Sequence, residues 1–209
     1  MQTEWKYSLE QQKYEDTIQF MEKRVSEIID KKESELVWLL EHPPLYTSGT
    51  SAKSEDLIQA KFPVFETGRG GKYTYHGPGQ RVGYVMLDLK ERAKPHKPDI
   101  REYVYNLEEW IIETLKCFGV VSERKKGRVG IWTNYKNREE KIAAIGIRIR
   151  KWVTYHGVAI NVSPNLEHFS GIIPCGINEF GVTSLHKLGV NCSLIQLDTG
   201  LKKTFAKIF

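Results

Sequence analysis

Three cysteines, Cys117, Cys175 and Cys192, are the side chains best suited to nucleophilic chemistry in this 209-residue sequence. They are odd in number and widely spaced, with no C-x-x-C pair, which argues against a disulfide framework or a cysteine-based zinc site. A thiol in a reducing compartment is either core filler or a working nucleophile. Cys117 falls in a helical stretch among Leu115, Phe118 and Val120 and reads as a core residue. Cys192, in Val190-Asn-Cys-Ser-Leu, reads as structural. Cys175 sits in Gly171-Ile-Ile-Pro174-Cys175-Gly176, where Pro174 and Gly176 make a turn, so a loop presents it. If one of the three is catalytic, it is Cys175. A free thiol ionises near a pKa of about 8.5, so a nucleophilic cysteine needs help, often from a nearby cation. The residues alone do not say which cation that is.

A second segment with chemical content runs Arg69-Gly70-Gly71-Lys72-Tyr73-Thr74-Tyr75-His76 and on through Gly77-Pro78-Gly79-Gln80. Its glycines let a backbone approach a ligand closely or take positive φ. A pair of tight turns would account for Gly77-Pro78-Gly79; it accounts less well for the directional Arg69 and His76 that frame the loop. The spacing rejects a nucleotide-phosphate loop, which would need glycine in place of Glu66 and Ser or Thr in place of Tyr73. No G-x-G-x-x-G follows a strand, and the six histidines show neither H-x-x-x-H nor H-E-x-x-H spacing, so no metal site is expected.

The third segment is Lys141-Ile-Ala-Ala144-Ile145-Gly146, poor in bulk for a strand, with Gly157-Val158-Ala159 echoing it nearby. Small residues on adjacent strands leave room beside a sheet. That room takes either a closely packed helix or a slender apolar ligand such as an acyl chain.

The elements that must position these residues are legible in part. Tyr14 to about Lys31 has the spacing of an amphipathic helix, with Ile18, Met21, Val25 and Ile28 or Ile29 as its apolar stripe. Leu36–Leu40 reads as a buried strand that ends at Pro43-Pro44. Pro63–Glu66 and Gly83–Leu89 read as strands, with a glycine-rich loop at 68–79 between them. Asp99 caps a helix of about 18 residues that buries Val104, Leu107, Trp110, Ile111 and Leu115. Val129–Thr133, Lys141–Lys151 and Val153–Val162 follow as strands, the last two paired as a hairpin. The composition, 40% hydrophobic and 27% charged, supports one α/β domain over residues 1–209, with no repeat or linker to divide it. The N-terminus lacks the apolar core of a secretory signal, and no run approaches the roughly 18 apolar residues that span a bilayer. A soluble, cytoplasmic protein is expected. The net charge of +5, with clusters at Arg124–Arg128 and Arg148–Lys151, fits a solvated surface, a nucleic acid or an acidic protein partner.

Several of these segments together resemble the lipoyl(octanoyl) transferase family. The residues that carry the likeness are His42-Pro43-Pro44 with Tyr46-Thr47 and Gly49, Arg69-Gly-Gly through His76-Gly-Pro-Gly-Gln80, and Gly130-Ile-Trp132. Lys141-Ile-Ala-Ala-Ile-Gly146, His156-Gly-Val-Ala-Ile-Asn161 and Pro174-Cys175-Gly176 complete it, in order along nearly the whole chain. The resemblance implies an α/β fold, a mixed sheet flanked by helices, shared with lipoate- and biotin-protein ligase catalytic domains. It implies that Cys175 takes an octanoyl group as a thioester and that Lys141 lowers the thiol's pKa. It implies that Arg69 to His76, Ala144 to Gly146 and Gly157 to Ala159 line the acyl site. The implied donor is octanoyl-acyl carrier protein. The implied acceptors are apo lipoyl domains of 2-oxoacid dehydrogenase E2 subunits and the glycine cleavage H protein, served by a monomer with no cofactor. Because carrier proteins and lipoyl domains are acidic, nucleic acid is then no longer needed to explain the charge.

Two rivals remain at this level: an ATP-dependent lipoate or biotin ligase on the same fold, and a non-catalytic binding module for lipoyl domains or nucleic acid. One detail resists the likeness. On a regular strand Lys141 points away from Ala144 and Gly146, since successive side chains alternate faces. An irregularity is therefore expected between Glu140 and Ala144.

Overall fold

The computed structural model describes residues 3–173 and 180–209. Strands β1 (Glu4–Tyr7), β2 (Leu36–Leu40), β6 (Gln80–Met86), β10 (Val153–Asn161), β9 (Arg138–Arg150), β8 (Arg128–Tyr135) and β7 (Glu123–Lys125) lie side by side in that order, and β11 (Gly181–Val182) joins β9. β1 runs parallel to β2 and β11 parallel to β9; the other pairs are antiparallel. A smaller sheet is built from β4 (Val64–Glu66), β3 (Leu45–Ser48) and β5 (Thr74–His76).

The main sheet is buried on both faces, which is why β2 reads as an unbroken apolar run. Val37 and Leu39 point one way, with Val85, Leu87 and Ile160, against helices α3 (Ile100–Lys116) and α4 (Leu194–Ile208). From those helices Leu107, Trp110, Ile111, Leu197, Leu201 and Phe205 complete this layer. Leu36, Trp38 and Leu40 point the other way, with Val82, Tyr84 and Met86, toward Met21, Val25 and Ile28 of helix α1 (Tyr14–Ile29). The architecture is the expected mixed sheet flanked by helices.

Differences from the sequence reading have local causes. The strand expected at Gly83–Leu89 is displaced to Gln80–Met86, because Asp88 accepts from the backbone of Lys90 and Glu91 and caps a short helix at Leu89–Arg92. The strand expected from Pro63 begins at Val64. Asp99 caps α3 as expected, its Oδ1 accepting from Arg101 N at 2.7 Å, but Tyr103 rather than Val104 is buried there. The expected hairpin forms, with Val153 opposite Arg150. Cys117 is not a core residue: it ends α3, exposed, with its thiol donating to Glu113 O at 3.3 Å.

Candidate active site

The floor of the site is the stretch of β9, β10 and β6 where side chains run out. Two rows cross the strands. In one, Ala144, Ala159 and Val82 are paired neighbours; in the other, Gly146, Gly157 and Tyr84. At Gly157 a Cβ would collide with the carbonyl oxygen of Gly83 on β6, so that position excludes any larger residue. The small side chains leave a cavity of about 200 Å³ over the sheet, smaller than the roughly 300–1,000 Å³ of sites for drug-sized ligands. Of the two readings of the small residues, open room beside the sheet is the one observed.

The roof is the 69–76 segment. Arg69 is buried, and its guanidinium donates to Thr47 O at 2.8 Å, Thr47 Oγ1 at 2.6 Å, Lys72 O at 3.0 Å and Gly70 O at 2.9 Å. It braces the loop against β3. Gly70 N in turn donates to Ile147 O on β9 at 2.9 Å. At the far end Gln80 N donates to Gly77 O, so Gly77–Gly79 is the tight turn that hands the chain from the small sheet to β6.

Lys141 reaches this cavity through a register shift. Ile131 pairs with Ala143 and Trp132 with Lys141, so Ile142 is an extra residue on β9: a β-bulge. Ile142 and Ala143 consequently both join the layer under α3, while Lys141 and Ala144 share the cavity side. This is the irregularity expected between Glu140 and Ala144. The ammonium of Lys141 donates to Val129 O at 2.7 Å and lies 5.7 Å from the Trp132 ring centroid. Strand β11 takes the edge of β9 here, with Val182 opposite Lys141 and Thr183 N donating to Lys141 O at 2.9 Å. Phe180, just before β11, packs edge-on against Trp132 at 5.5 Å under the Arg128 guanidinium.

Behind the cavity is a polar network that the sequence reading did not assign. His42 Nδ1 donates to Gln12 O at 2.7 Å, so its Nε2 accepts from the Tyr84 hydroxyl at 2.7 Å. Gln80 Nε2 donates to Tyr75 O and Asn161 Oδ1, which leaves its Oε1 to accept from His76 Nδ1 at 2.7 Å. Burial pushes His42 down to about 4, and burial with neighbouring cationic or histidine groups pushes His76 and His156 down to about 3. All three are neutral at physiological pH. Burial likewise raises Tyr14 to about 12 and Tyr84 well above its usual value, so these phenols stay protonated. His156 holds φ of 59°, a left-handed conformation rare for a residue with a side chain.

Every expected binding residue except Gly70 and Tyr75 borders the cavity. Tyr75 is buried in the small core around Tyr46 and Phe169 instead, with its hydroxyl 2.8 Å from His168 Nδ1. Tyr14, Val82, Tyr84, Arg128 and His156 also border it and were not assigned from sequence. Their signal was weak because they come from separate elements, each residue fitting an ordinary core or surface position. Cys175, with Pro174 and Gly176, lies outside the described residues. Among the described residues no group of three or more metal-ligating side chains is present, and no helix is long and apolar enough to cross a membrane.

A sheet carrying a slot of small residues beneath a glycine-rich roof, with a lysine at one end, has room for a slender apolar group. The family model of the lipoyl protein ligase A/B catalytic domain matches residues 13–206. An octanoyltransferase of Wolbachia pipientis subsp. Culex pipiens is 56% identical over 207 residues, covering 99% of this chain and 100% of its own. An octanoyltransferase of Parvibaculum lavamentivorans is 56% identical over 211 residues, covering 99% and 92%. Among solved structures, a bipartite lipoate protein ligase from Thermoplasma acidophilum has a TM-score of 0.72 at 14% identity, over 99% of this chain and 84% of that one. A lipoate-protein ligase A bound with ATP has a TM-score of 0.70 at 16% identity, over 98% and 85%; both show the fold alone. The chain belongs to the lipoyl protein ligase A/B catalytic family. Within it the chain stands with the octanoyltransferases, and its activity is acyl transfer in protein lipoylation.

Proposed function

We propose that the chain, as a single catalytic domain, carries an octanoyl group from an acyl-carrier-protein thioester to a lysine of an apo lipoyl domain, by way of a Cys175 thioester. The observation that carries this reading is Lys141. A bulge spent on one residue turns a buried ammonium toward a slot of small apolar groups, and the strand following the Cys175 segment pairs with it.

In the first half-reaction the Cys175 thiolate attacks the donor's carbonyl carbon. A new C–S bond forms, the carrier's C–S bond breaks, and the carrier leaves as a thiolate that takes up a proton. One thioester replaces another at little net free energy, so ATP is not required. In the second, the acceptor's neutral amine attacks the Cys175 thioester; a C–N bond forms, the C–S bond breaks, and the amine's proton is passed on. A cationic Lys141 stabilises the thiolate as nucleophile and as leaving group, and a neutral one accepts the amine's proton. Arg69, Gly71 to Thr74 and His76, with Ala144 to Gly146 and Gly157 to Ala159, enclose the acyl chain. E2 lipoyl domains and the H protein are the acceptors, in the cytoplasm, and the enzyme acts as a monomer.

The experiment is octanoyl transfer from octanoyl-carrier protein to an apo lipoyl domain without ATP. Transfer is expected from the unaltered chain and not from Cys175→Ser. A requirement for ATP, or full activity in Cys175→Ser, would instead favour the ligase reading.

A further inference from the structure

The cavity has an open end and a closed end, and the closed end is a wall of buried aromatic groups. Lys72, Arg128 and Val129 at one side are partly or largely exposed, Val129 at 56%. At the other side Tyr84, Val82, Tyr14 and His156 are each at most 4% exposed. Along the strands' pairing direction the order is fixed: Gly146, then Gly157, then Tyr84 in one row, and Ala144, then Ala159, then Val82 in the next. A chain crossing from β9 to β6 therefore passes over two positions with no side chain, or two methyl groups, before it meets a phenol ring or an isopropyl group.

The ring at the end of the first row is held. Tyr84 donates its hydroxyl to His42 Nε2 at 2.7 Å, and His42 is fixed from behind by Gln12 O at 2.7 Å. The rings of Trp38 and His156 stand edge-on to it at 6.5 and 6.0 Å. Swinging Tyr84 aside would strand a buried hydroxyl and a buried imidazole nitrogen at once, a penalty of the kind that keeps a side chain in one rotamer. The wall is rigid.

We propose that Tyr84, backed by His42 and flanked by Val82, is the residue that sets acyl chain length. This rests on the acyl-slot reading above. Two inter-strand steps of about 4.8 Å separate β9 from β6, about 10 Å in all. An extended eight-carbon chain, seven zigzag bonds of about 1.5 Å, spans about 9 Å. A longer chain laid across these strands meets Tyr84 while its carbonyl still lies beyond β9, on the open side of the cavity.

The test is acylation of the full chain by octanoyl, decanoyl and dodecanoyl N-acetylcysteamine thioesters, followed by intact mass. The unaltered chain is expected to favour the octanoyl thioester over the dodecanoyl by tenfold or more. Tyr84→Ala is expected to raise the dodecanoyl-to-octanoyl rate ratio at least tenfold, and Val82→Ala to raise the decanoyl-to-octanoyl ratio. Ala159→Val, which raises the floor before the wall, is expected to shift preference below eight carbons, and it carries the test if Tyr84→Ala does not fold. Unchanged ratios in the folded variants, or equal rates for all lengths in the unaltered chain, would overturn the proposal while leaving the transfer reading intact. No adduct at any length on the unaltered chain would overturn both.

Discussion

The side chain of Lys141 crosses directly over Gly130, where a Cβ would overlap Lys141 Cε, and ends with its ammonium 2.7 Å from Val129 O. The neighbouring strand is thus shaped around the lysine: Gly130 brings no side chain, and its φ of 113° takes the backbone off the ordinary strand path.

Gly130→Ala is therefore expected to act on Lys141 as well as on stability. Alanine at positive φ is strained by roughly 1–2 kcal/mol, and its methyl group would meet the backbone oxygen of Ala143 as well as displace the lysine. Thermal unfolding should show a loss of that order, and acylation per folded molecule should fall further, with an altered pH profile. A loss of stability with an unchanged profile would mean that Gly130 serves only the backbone.

Lys141→Ala is expected to slow both half-reactions, by about 10²–10⁴-fold if the lysine moves protons in the transition state. Lys141→Arg keeps a cation but cannot accept a proton, so it should preserve self-acylation better than transfer to the amine. Stopped assays on each half-reaction separate the two; equal losses in both would contradict a proton-transfer role.

The histidine network makes stability depend on pH. His42, His76 and His156 titrate at about 4, 3 and 3 in the folded chain, against about 6.5 unfolded. The unfolded chain takes up protons first, so stability is present above pH 6.5 and is lost as pH falls toward 4. Each histidine contributes a slope of up to about 1.4 kcal/mol per pH unit. Urea midpoints should fall between pH 7.5 and 5.5, and His42→Gln should flatten that fall. A midpoint constant over that range would show that the histidines are not buried neutral.

Away from the cavity, Asp198 of α4 meets Arg81 of β6 in a buried pair at 2.8 and 2.5 Å. Removing one partner of such a pair typically costs about 3–5 kcal/mol. Asp198→Ala is expected to lower the unfolding midpoint strongly while acylation per folded molecule stays the same. Equal loss of both would tie α4 to the site.

Much of this was legible in the sequence, and for reasons that can be named. Residue parity, set against the shared site that the resemblance implies, exposed the conflict between Lys141 and Ala144, and the bulge at Ile142 resolves it. The pairing of small residues at Gly146 and Gly157 followed from two low-bulk strands one short turn apart. Helix α4 carries a readable signal of its own, Leu194, Leu197, Leu201 and Phe205 behind a Ser193–Gln196 capping box. Strands such as β1, β5 and β11 are too short to show a period. Cys117 misled because its apolar neighbours Leu115 and Val120 are buried while it caps the helix on the outside. Tyr84 could not be assigned from sequence at all: its role comes from standing third in a row across three strands.

The most direct measurement is intact and peptide mass spectrometry of the protein after incubation with octanoyl-carrier protein in the absence of ATP. The account predicts one octanoyl group on the peptide containing Cys175, lost on addition of an apo lipoyl domain, and absent in Cys175→Ser. An adduct on Cys117 or Cys192, or none until ATP is supplied, would contradict it.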